Sequence, residues 1–190
     1  MFIPGAYRRL KRGPQVILPK DIGIVLAYTG VGRESRCVDA GAGSGWLAVS
    51  LARVCKEVTT YDTREDFLKI VEKNRKAEGL ENLILRKGDV TKKIYEKDVD
   101  LVTLDLPNSD RAVGKAYRAL REGGQIFGYL PHVEQVKKFV AKMERYGFSD
   151  IVVLEAIVRD MLVRKEGSRP STKGVWHTGY LVFGCKKAAG

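Results

Sequence analysis

Short apolar runs alternate with longer amphipathic stretches along most of the chain. After the basic opening M-F-I-P-G-A-Y-R-R-L-K-R-G-P, Asp21 precedes an apolar helical stretch, I-G-I-V-L-A-Y, and is placed to cap it. Arg36–Ala40 reads as a strand, followed by G-A-G-S-G and a helix, W-L-A-V-S-L-A-R-V. A second strand at Glu57–Asp62 leads into a helix that runs to about Gly79, with Thr63 as its expected cap and Asp66 three residues on. Further strands are predicted at Asn82–Lys87, Val99–Leu106 and Gln125–Leu130, with helices from about Ser109 to Leu120 and Val133 to Tyr146.

The strands are continuous apolar runs rather than clean alternators, and helices separate them, which predicts a parallel sheet covered on both faces. The rhythm then changes. Phe148 to Val163 reads as one long strand, followed by the loop R-K-E-G-S-R-P-S-T-K-G and a last strand at Gly179–Lys186. Two strands with no helix between them predict an antiparallel hairpin closing the sheet. No repeat, low-complexity tract or linker divides the chain, so residues 1–190 are expected to form one domain, with 1–14 as a basic lead-in.

Composition narrows the partners more than the fold. Hydrophobic residues make up 44% of the chain and charged residues 30%, which suits a globular protein, but the net charge is +11. A surplus of that size favours polyanions, nucleic acid before anionic membrane. No apolar run is long enough to span a bilayer, and the N-terminus lacks the apolar core of a signal peptide, so a cytoplasmic location is expected. Cys37, Cys55 and Cys185 match neither a disulfide framework nor zinc spacing, and no metal is expected.

The chemistry is concentrated at strand ends. V-D-A-G-A-G-S-G-W, from Val38 to Trp46, falls at the first strand-to-helix turn, where glycines let a ligand approach the backbone at a helix N-terminus. A dinucleotide fingerprint spaces its glycines G-x-G-x-x-G; here they are Gly41, Gly43 and Gly45, with Asp39 two residues ahead, which counts against a nicotinamide enzyme. The loop resembles motif I of the S-adenosylmethionine-dependent methyltransferases. That likeness implies a Rossmann-like class I α/β fold: a seven-stranded, mostly parallel sheet with an antiparallel C-terminal hairpin and helices on both faces. Asp62 ends the second strand, where such folds hold ribose hydroxyls. Asp89, after the third strand, is where this class commonly meets the adenine amine. Asp39, Gly41, Gly43, Ser44, Gly45, Asp62, Asp89 and Asp105 form the expected cofactor set, with S-adenosyl-L-methionine as cofactor.

In V-D-L-V-T-L-D-L-P, Asp105 stands at the end of an apolar strand and Pro107 forbids continuation. In an open α/β sheet that position faces the ligand crevice. Here the resemblance sharpens. Q-V-I-L-P-K-D at 15–21, V-D-A-G-A-G-S-G at 38–45, L-D-L-P at 104–107, Y-L-P-H-V-E-Q-V at 129–136 and R-P-S-T-K-G-V-W-H-T-G-Y-L at 169–181 are similar to the tRNA (adenine-N1) methyltransferases that modify the T-loop adenine at position 58. The resemblance implies that Asp105 is the catalytic acid, that Tyr129, Gln135 and His177 border the substrate, and that tRNA is the partner of a homotetramer. His132 is a weaker candidate near the cleft, and Trp46 on the first helix reads as core or cofactor-side packing. Arg8, Arg9, Lys11 and Arg12 at one end, with Arg164, Lys165, Arg169 and Lys173 in the hairpin loop, are the expected backbone-binding cations.

The chain departs from that family in two places. A small β-rich domain usually precedes Q-V-I-L-P, where about a dozen residues stand here, and the usual P-W after the acid is replaced by Pro107-Asn108. Rival readings are a corrinoid-pathway precorrin methyltransferase/decarboxylase, a protein isoaspartyl methyltransferase, and a non-catalytic tRNA-binding subunit. The net charge, D-L-P and H-T-G-Y-L count against the first two, and the intact glycine loop against the third.

Overall fold

The computed structural model describes residues 3–13 and 15–188; Met1, Phe2 and Pro14 of the basic lead-in lie outside the described residues. In chain order the elements are α1 (Gly5–Arg8), α2 (Pro19–Thr29), β1 (Arg36–Ala40), α3 (Trp46–Ala52), β2 (Glu57–Asp62), α4 (Glu65–Glu78), β3 (Leu83–Lys87) and β4 (Val99–Leu104). There follow α5 (Ser109–Ala119), β5 (Leu120–Leu130), α6 (Val133–Tyr146), β6 (Phe148–Glu155), β7 (Met161–Leu162), β8 (Arg169–Pro170) and β9 (Tyr180–Lys186).

Seven strands form one sheet in the order β3-β2-β1-β4-β5-β9-β6, and β7 pairs β8 in a separate small ribbon. The first five run parallel, and β9 lies antiparallel between β5 and β6. Alternation along the strands divides two cores. Cys37, Val58, Leu101, Phe127 and Phe183 face α2, α3 and α4, whereas Val38, Ala40, Val102, Leu104, Ile126 and Val182 face α5 and α6. Both faces are dry, which is why the strands read as unbroken apolar runs.

The chain steps from β1 outward to β2 and β3, then returns to place β4 on β1's other side, so the order reverses between β1 and β4. A crevice opens outside the carboxyl ends of such a pair. Ala40 and Leu104 are register partners there, and the Asp105 amide donates to the Ala40 carbonyl at 2.8 Å.

Three local expectations change. Asp21 does not cap α2, which begins at Pro19 with Leu18 as N-cap; its carboxylate is fully buried, 2.7 Å from Lys20 Nζ. Thr63 does not cap α4; Arg64 holds that place, and Asp62 Oδ1 accepts from the Arg64 amide at 2.9 Å. The long strand predicted over 148–163 ends at Glu155. Its partner β9 begins opposite, at Tyr180, and Lys20 Nζ takes the Ala156 carbonyl at 2.7 Å, turning the chain out of the sheet. The Cys37 and Cys55 thiols, unrelated by spacing, adjoin in the core with their sulfurs 3.6 Å apart.

Candidate active site

A cavity of about 820 Å³ lies over the β1–β4 crevice. Its wall is assembled from strand-end loops: Gly41 and Gly43 after β1, Asp62 and Thr63 after β2, Gly88 to Thr91 after β3, Asp105 to Asn108 after β4, and Pro131, His132 and Gln135 after β5. That volume suits a ligand of cofactor size.

The glycine loop is shaped by its neighbours. Gly41 has φ +87°, and a Cβ there would meet the Asp105 carbonyl oxygen at 2.0 Å. Gly45 has φ +79°, and its Cβ would press on Val71 of α4 at 2.9 Å. Both conditions exclude a side chain. The amides of Gly41 and Ala42 donate to the Tyr61 carbonyl, each at 3.0 Å, so the end of β2 holds the loop's entry. Asp62 completes the tether: Oδ2 accepts from the Gly43 amide at 3.2 Å.

Asp105 is the exceptional carboxylate. It accepts no hydrogen bond from the described residues and is open to the cavity, yet it is set deep among protein atoms. Desolvation first, then the charges of Asp39 and Asp62, push its pKa up to about 7. Its loop is braced from across the cleft. Gln135 Nε2 donates to the Pro107 carbonyl at 3.1 Å while its Oε1 accepts from the His132 amide at 3.2 Å, and Ser109 Oγ donates to the Leu106 carbonyl at 2.8 Å.

The structure brings Gly41, Gly43, Asp62, Asp89, Asp105 and Gln135 to this cavity, with His132 beside them. Asp89 Oδ1 also accepts from the Thr91 amide and hydroxyl, at 2.9 and 2.6 Å, which holds its carboxyl below the usual range.

Other expected residues stand elsewhere. Asp39 lies beneath the floor, where its oxygens accept from Thr60 and Thr103, each at 2.6 Å and each its register partner on a neighbouring strand. Its carboxylate therefore ties β2, β1 and β4 together. Burial raises its pKa against those two hydrogen bonds. Ser44 and Gly45 are packed behind the loop: Ser44 is buried, its carbonyl accepts from Asn74 Nδ2 at 2.8 Å, and its hydroxyl has no partner among the described residues.

Tyr129 is buried away from the cavity; its hydroxyl is 2.8 Å from the Thr178 carbonyl and 3.2 Å from Asp21 Oδ2. His177 stands outside, with Nδ1 2.6 Å from Glu155 and Nε2 2.9 Å from the Pro131 carbonyl. With an acceptor at each nitrogen, the Glu155 carboxylate first, its pKa is raised. Trp46 packs in the core, 5.2 Å from the Tyr7 ring, and Trp176 is partly exposed beneath Arg159.

Arg8 and Arg9 are exposed at the N-terminal end, with Arg8 Nε on the Ile3 carbonyl, whereas Arg164 and Arg169 are exposed in and beside the β7–β8 ribbon. Sequence reasoning did not single out Gln15, Arg64, Phe67, Thr91 or Arg111 as lining residues. Gln15 opens Q-V-I-L-P, which was the available signal; nothing local marks the others.

A reversed α/β sheet closed by an antiparallel strand, a glycine loop at the reversal and carboxylates on successive strand ends define a class I, S-adenosylmethionine-dependent methyltransferase. The family described as "tRNA methyltransferase complex GCD14 subunit" matches residues 8–169, and the chain belongs to it. A tRNA (adenine(57)-N(1)/adenine(58)-N(1))-methyltransferase TrmI of Methanocaldococcus jannaschii is 39% identical, over 92% of this chain and 73% of its own length. Among solved structures, the tRNA (m1A58) methyltransferase TrmI of Aquifex aeolicus superposes with a TM-score of 0.90 at 29% identity, covering 98% of this chain and 77% of that one. A SAM-dependent O-methyltransferase of Thermotoga maritima gives 0.92 at 31%, covering 98% and 73%.

The residues present fit the methyl donor. Backbone of Gly41 and Gly43 lines the cavity, Asp62 can receive a ribose diol, and Asp105 supplies a carboxylate at the crevice end that suits a cationic sulfonium.

Proposed function

We propose that this protein transfers a methyl group from S-adenosylmethionine to N1 of an adenine in the tRNA T-loop. Membership of the GCD14 family and the 39% identity to a tRNA adenine-N1 enzyme support the tRNA substrate, and leave the corrinoid and decayed-subunit readings without support. The observation that carries the reading is Asp105, a carboxylate without a hydrogen-bond partner among the described residues at the crevice end, beside the loop that Gln135 braces.

The donor supplies an electrophilic methyl on a sulfonium. The adenine N1 lone pair forms the new N–CH3 bond while the S–CH3 electron pair stays on sulfur, and positive charge spreads over N1 and N6 of the base. Asp105, accepting from the N6 amine, orients the ring and stabilises that charge as it grows. The target must first leave its stack, which a strand-end cleft requires of any base. Asp62 would hold the donor's ribose hydroxyls, and Asp89 would accept from its adenine amine.

Incubating unmodified tRNA with the protein and S-adenosylmethionine, then analysing nucleosides by mass spectrometry, tests this. A 1-methyladenosine peak that Asp105→Asn reduces about 10²-fold is expected. Cofactor binding without any methylated nucleoside would overturn it.

The same reading extends to assembly and location. The edge strand β6 exposes Val152 and Val153, and beyond it Ile157, Val158, Met161 and Val163 are exposed. This apolar margin supports self-association, a tetramer by family resemblance; a monomer by light scattering would remove it. No helix among the described residues is long and apolar enough to cross a membrane, and a tRNA substrate favours the cytoplasm.

A further inference from the structure

The helices that begin at the substrate end of the cavity carry their charges differently from α4 on the opposite face of the sheet. Adjoining α5 and α6 bear Arg111, Lys115, Arg118, Lys137, Lys138, Lys142 and Arg145 against Asp110, Glu134 and Glu144. None of the seven cations pairs with a carboxylate among the described residues. On α4 three of the four cations are paired: Lys69 lies 3.6 Å from Glu65, and Arg75 and Lys76 lie 2.7 and 3.3 Å from Glu72, while Lys73 has no carboxylate partner among the described residues. Ion pairing therefore reaches most of the cations of α4 and none of the seven on α5 and α6.

Position gives that difference a meaning. Helix α5 emerges from the Pro107–Asn108 loop and α6 from the Pro131–His132 turn, and both connections line the cavity, as does Arg111 itself. Ala112, Val113, Ala116, Val136, Phe139 and Met143 turn inward to the sheet, leaving the cations on the outer surface. At 1.5 Å per residue, Arg118 stands about 10 Å beyond Arg111, and Arg145 about 12 Å beyond Lys137. An array of unpaired cations leading away from a binding cleft attracts a polyanion and releases its counterions.

We infer that the α5–α6 face is the track that holds the ribose-phosphate backbone flanking the target nucleotide. This rests on the tRNA reading above. A nucleotide entering between the Pro107 loop and the Pro131 turn brings its neighbouring phosphates onto the helices that start there. The contacts position the RNA without reading sequence, because flexible cations on a helix face meet phosphates rather than base edges. The cations of the N-terminal segment and the β7–β8 ribbon are not needed for this local grip.

The test compares two variants with the same loss of charge. One is Arg118→Gln, Lys137→Gln, Lys138→Gln on the track; the other is Lys69→Gln, Lys73→Gln, Lys76→Gln on α4. Affinity for unmodified tRNA is measured by filter binding across a salt series, alongside S-adenosylmethionine affinity and methylation. The track variant is expected to bind tRNA about tenfold more weakly, with a log-log salt slope shallower by about 2 to 3. The α4 variant should stay within about twofold of wild type, and both should bind the methyl donor normally.

Equal tRNA affinities for the two variants would overturn the track, as would a wild-type protein that binds no tRNA. If wild type binds tRNA and the track variant weakens it but no methyl group is transferred, the track stands and the catalytic reading falls. If tRNA is methylated and both variants behave alike, the reverse holds.

Discussion

A Cβ on Gly41 would stand 2.0 Å from the carbonyl oxygen of Asp105, so the glycine loop and the carboxylate-bearing turn are fitted to one another with no room for a side chain. The two residues lie at the ends of β1 and β4, on either side of the point where strand order reverses. The loop proposed to bind the donor and the acid proposed to face the substrate are therefore positioned by one contact.

Gly41→Ala should disrupt both. The added carbon collides with the Asp105 backbone, and φ of +87° is strained for alanine. We expect a loss of about 1–3 kcal/mol in stability from the backbone conformation alone, and S-adenosylmethionine affinity lowered at least about tenfold. Calorimetric titration and urea unfolding check this; wild-type values in both would refute the fit.

Asp105 sets a pH dependence with two opposite readouts. Its carboxyl titrates near pH 7, so kcat/KM for tRNA should fall about tenfold per pH unit below that point, as the accepting form is lost. Stability moves the other way. A carboxyl whose folded pKa is raised binds its proton more tightly folded than unfolded, so stability falls as pH rises from about 4 to 7. Asp105→Asn should therefore melt higher than wild type at pH 8, match it at pH 4, and lose most activity throughout. A melting temperature unchanged at pH 8 would argue against a desolvated carboxylate.

His177 adds a smaller effect in the same direction. Its pKa is raised by Glu155 and the Pro131 carbonyl, so the stability it contributes is full below about 6.5 and is lost as pH rises through the folded value. His177→Gln should flatten melting temperature across pH 6 to 8, and an unaltered profile would show that the bridge contributes nothing.

Lys20 is a structural risk of another kind. Its Nζ contacts Asp21 Oδ1, the Ala156 carbonyl and Thr178 Oγ1, each at 2.7 Å, in a network that also takes in Tyr129. Lys20→Met would leave the Asp21 carboxylate buried and unpaired, costing about 3–5 kcal/mol by urea unfolding. Lys20→Met combined with Asp21→Leu should recover much of that loss; no recovery would mean that the Ala156 and Thr178 contacts matter more than the ion pair.

Gln135 braces the Asp105 loop without being placed to contact the reacting atoms. Gln135→Leu removes the bonds to the Pro107 carbonyl and the His132 amide. It should lower kcat while leaving methyl-donor affinity within about twofold, since the donor wall lies on the glycine-loop side. A fall in donor affinity with kcat preserved would reverse that assignment.

The glycine loop, Asp62, Asp89 and Asp105 were legible because each lies in a local pattern: an apolar strand followed at once by a turn. Asp39 carried the same local signature and yet faces Thr60 and Thr103, whose hydroxyls reach it only through strand register. Tyr129 was misplaced for a similar reason, since Asp21 is 108 residues away. The end of β6 looked no different from its middle in sequence, because it falls where its partner β9 begins, at Tyr180, beside a contact from Lys20, 136 residues from Ala156. Cys37 and Cys55 likewise adjoin only once β1 and β2 pair.

What the sequence by itself determined is the alternation of apolar strands with amphipathic helices, the closing antiparallel strand, and the glycine-and-acid spacing, because these depend on backbone preferences and side-chain periodicity over a few residues. Only the tertiary structure decided which carboxylates face the cavity and which brace the sheet, and which cations stand free beside the cleft. A side chain's role in chemistry depends on the groups around it, and in a sheet whose order reverses those groups come from distant parts of the chain.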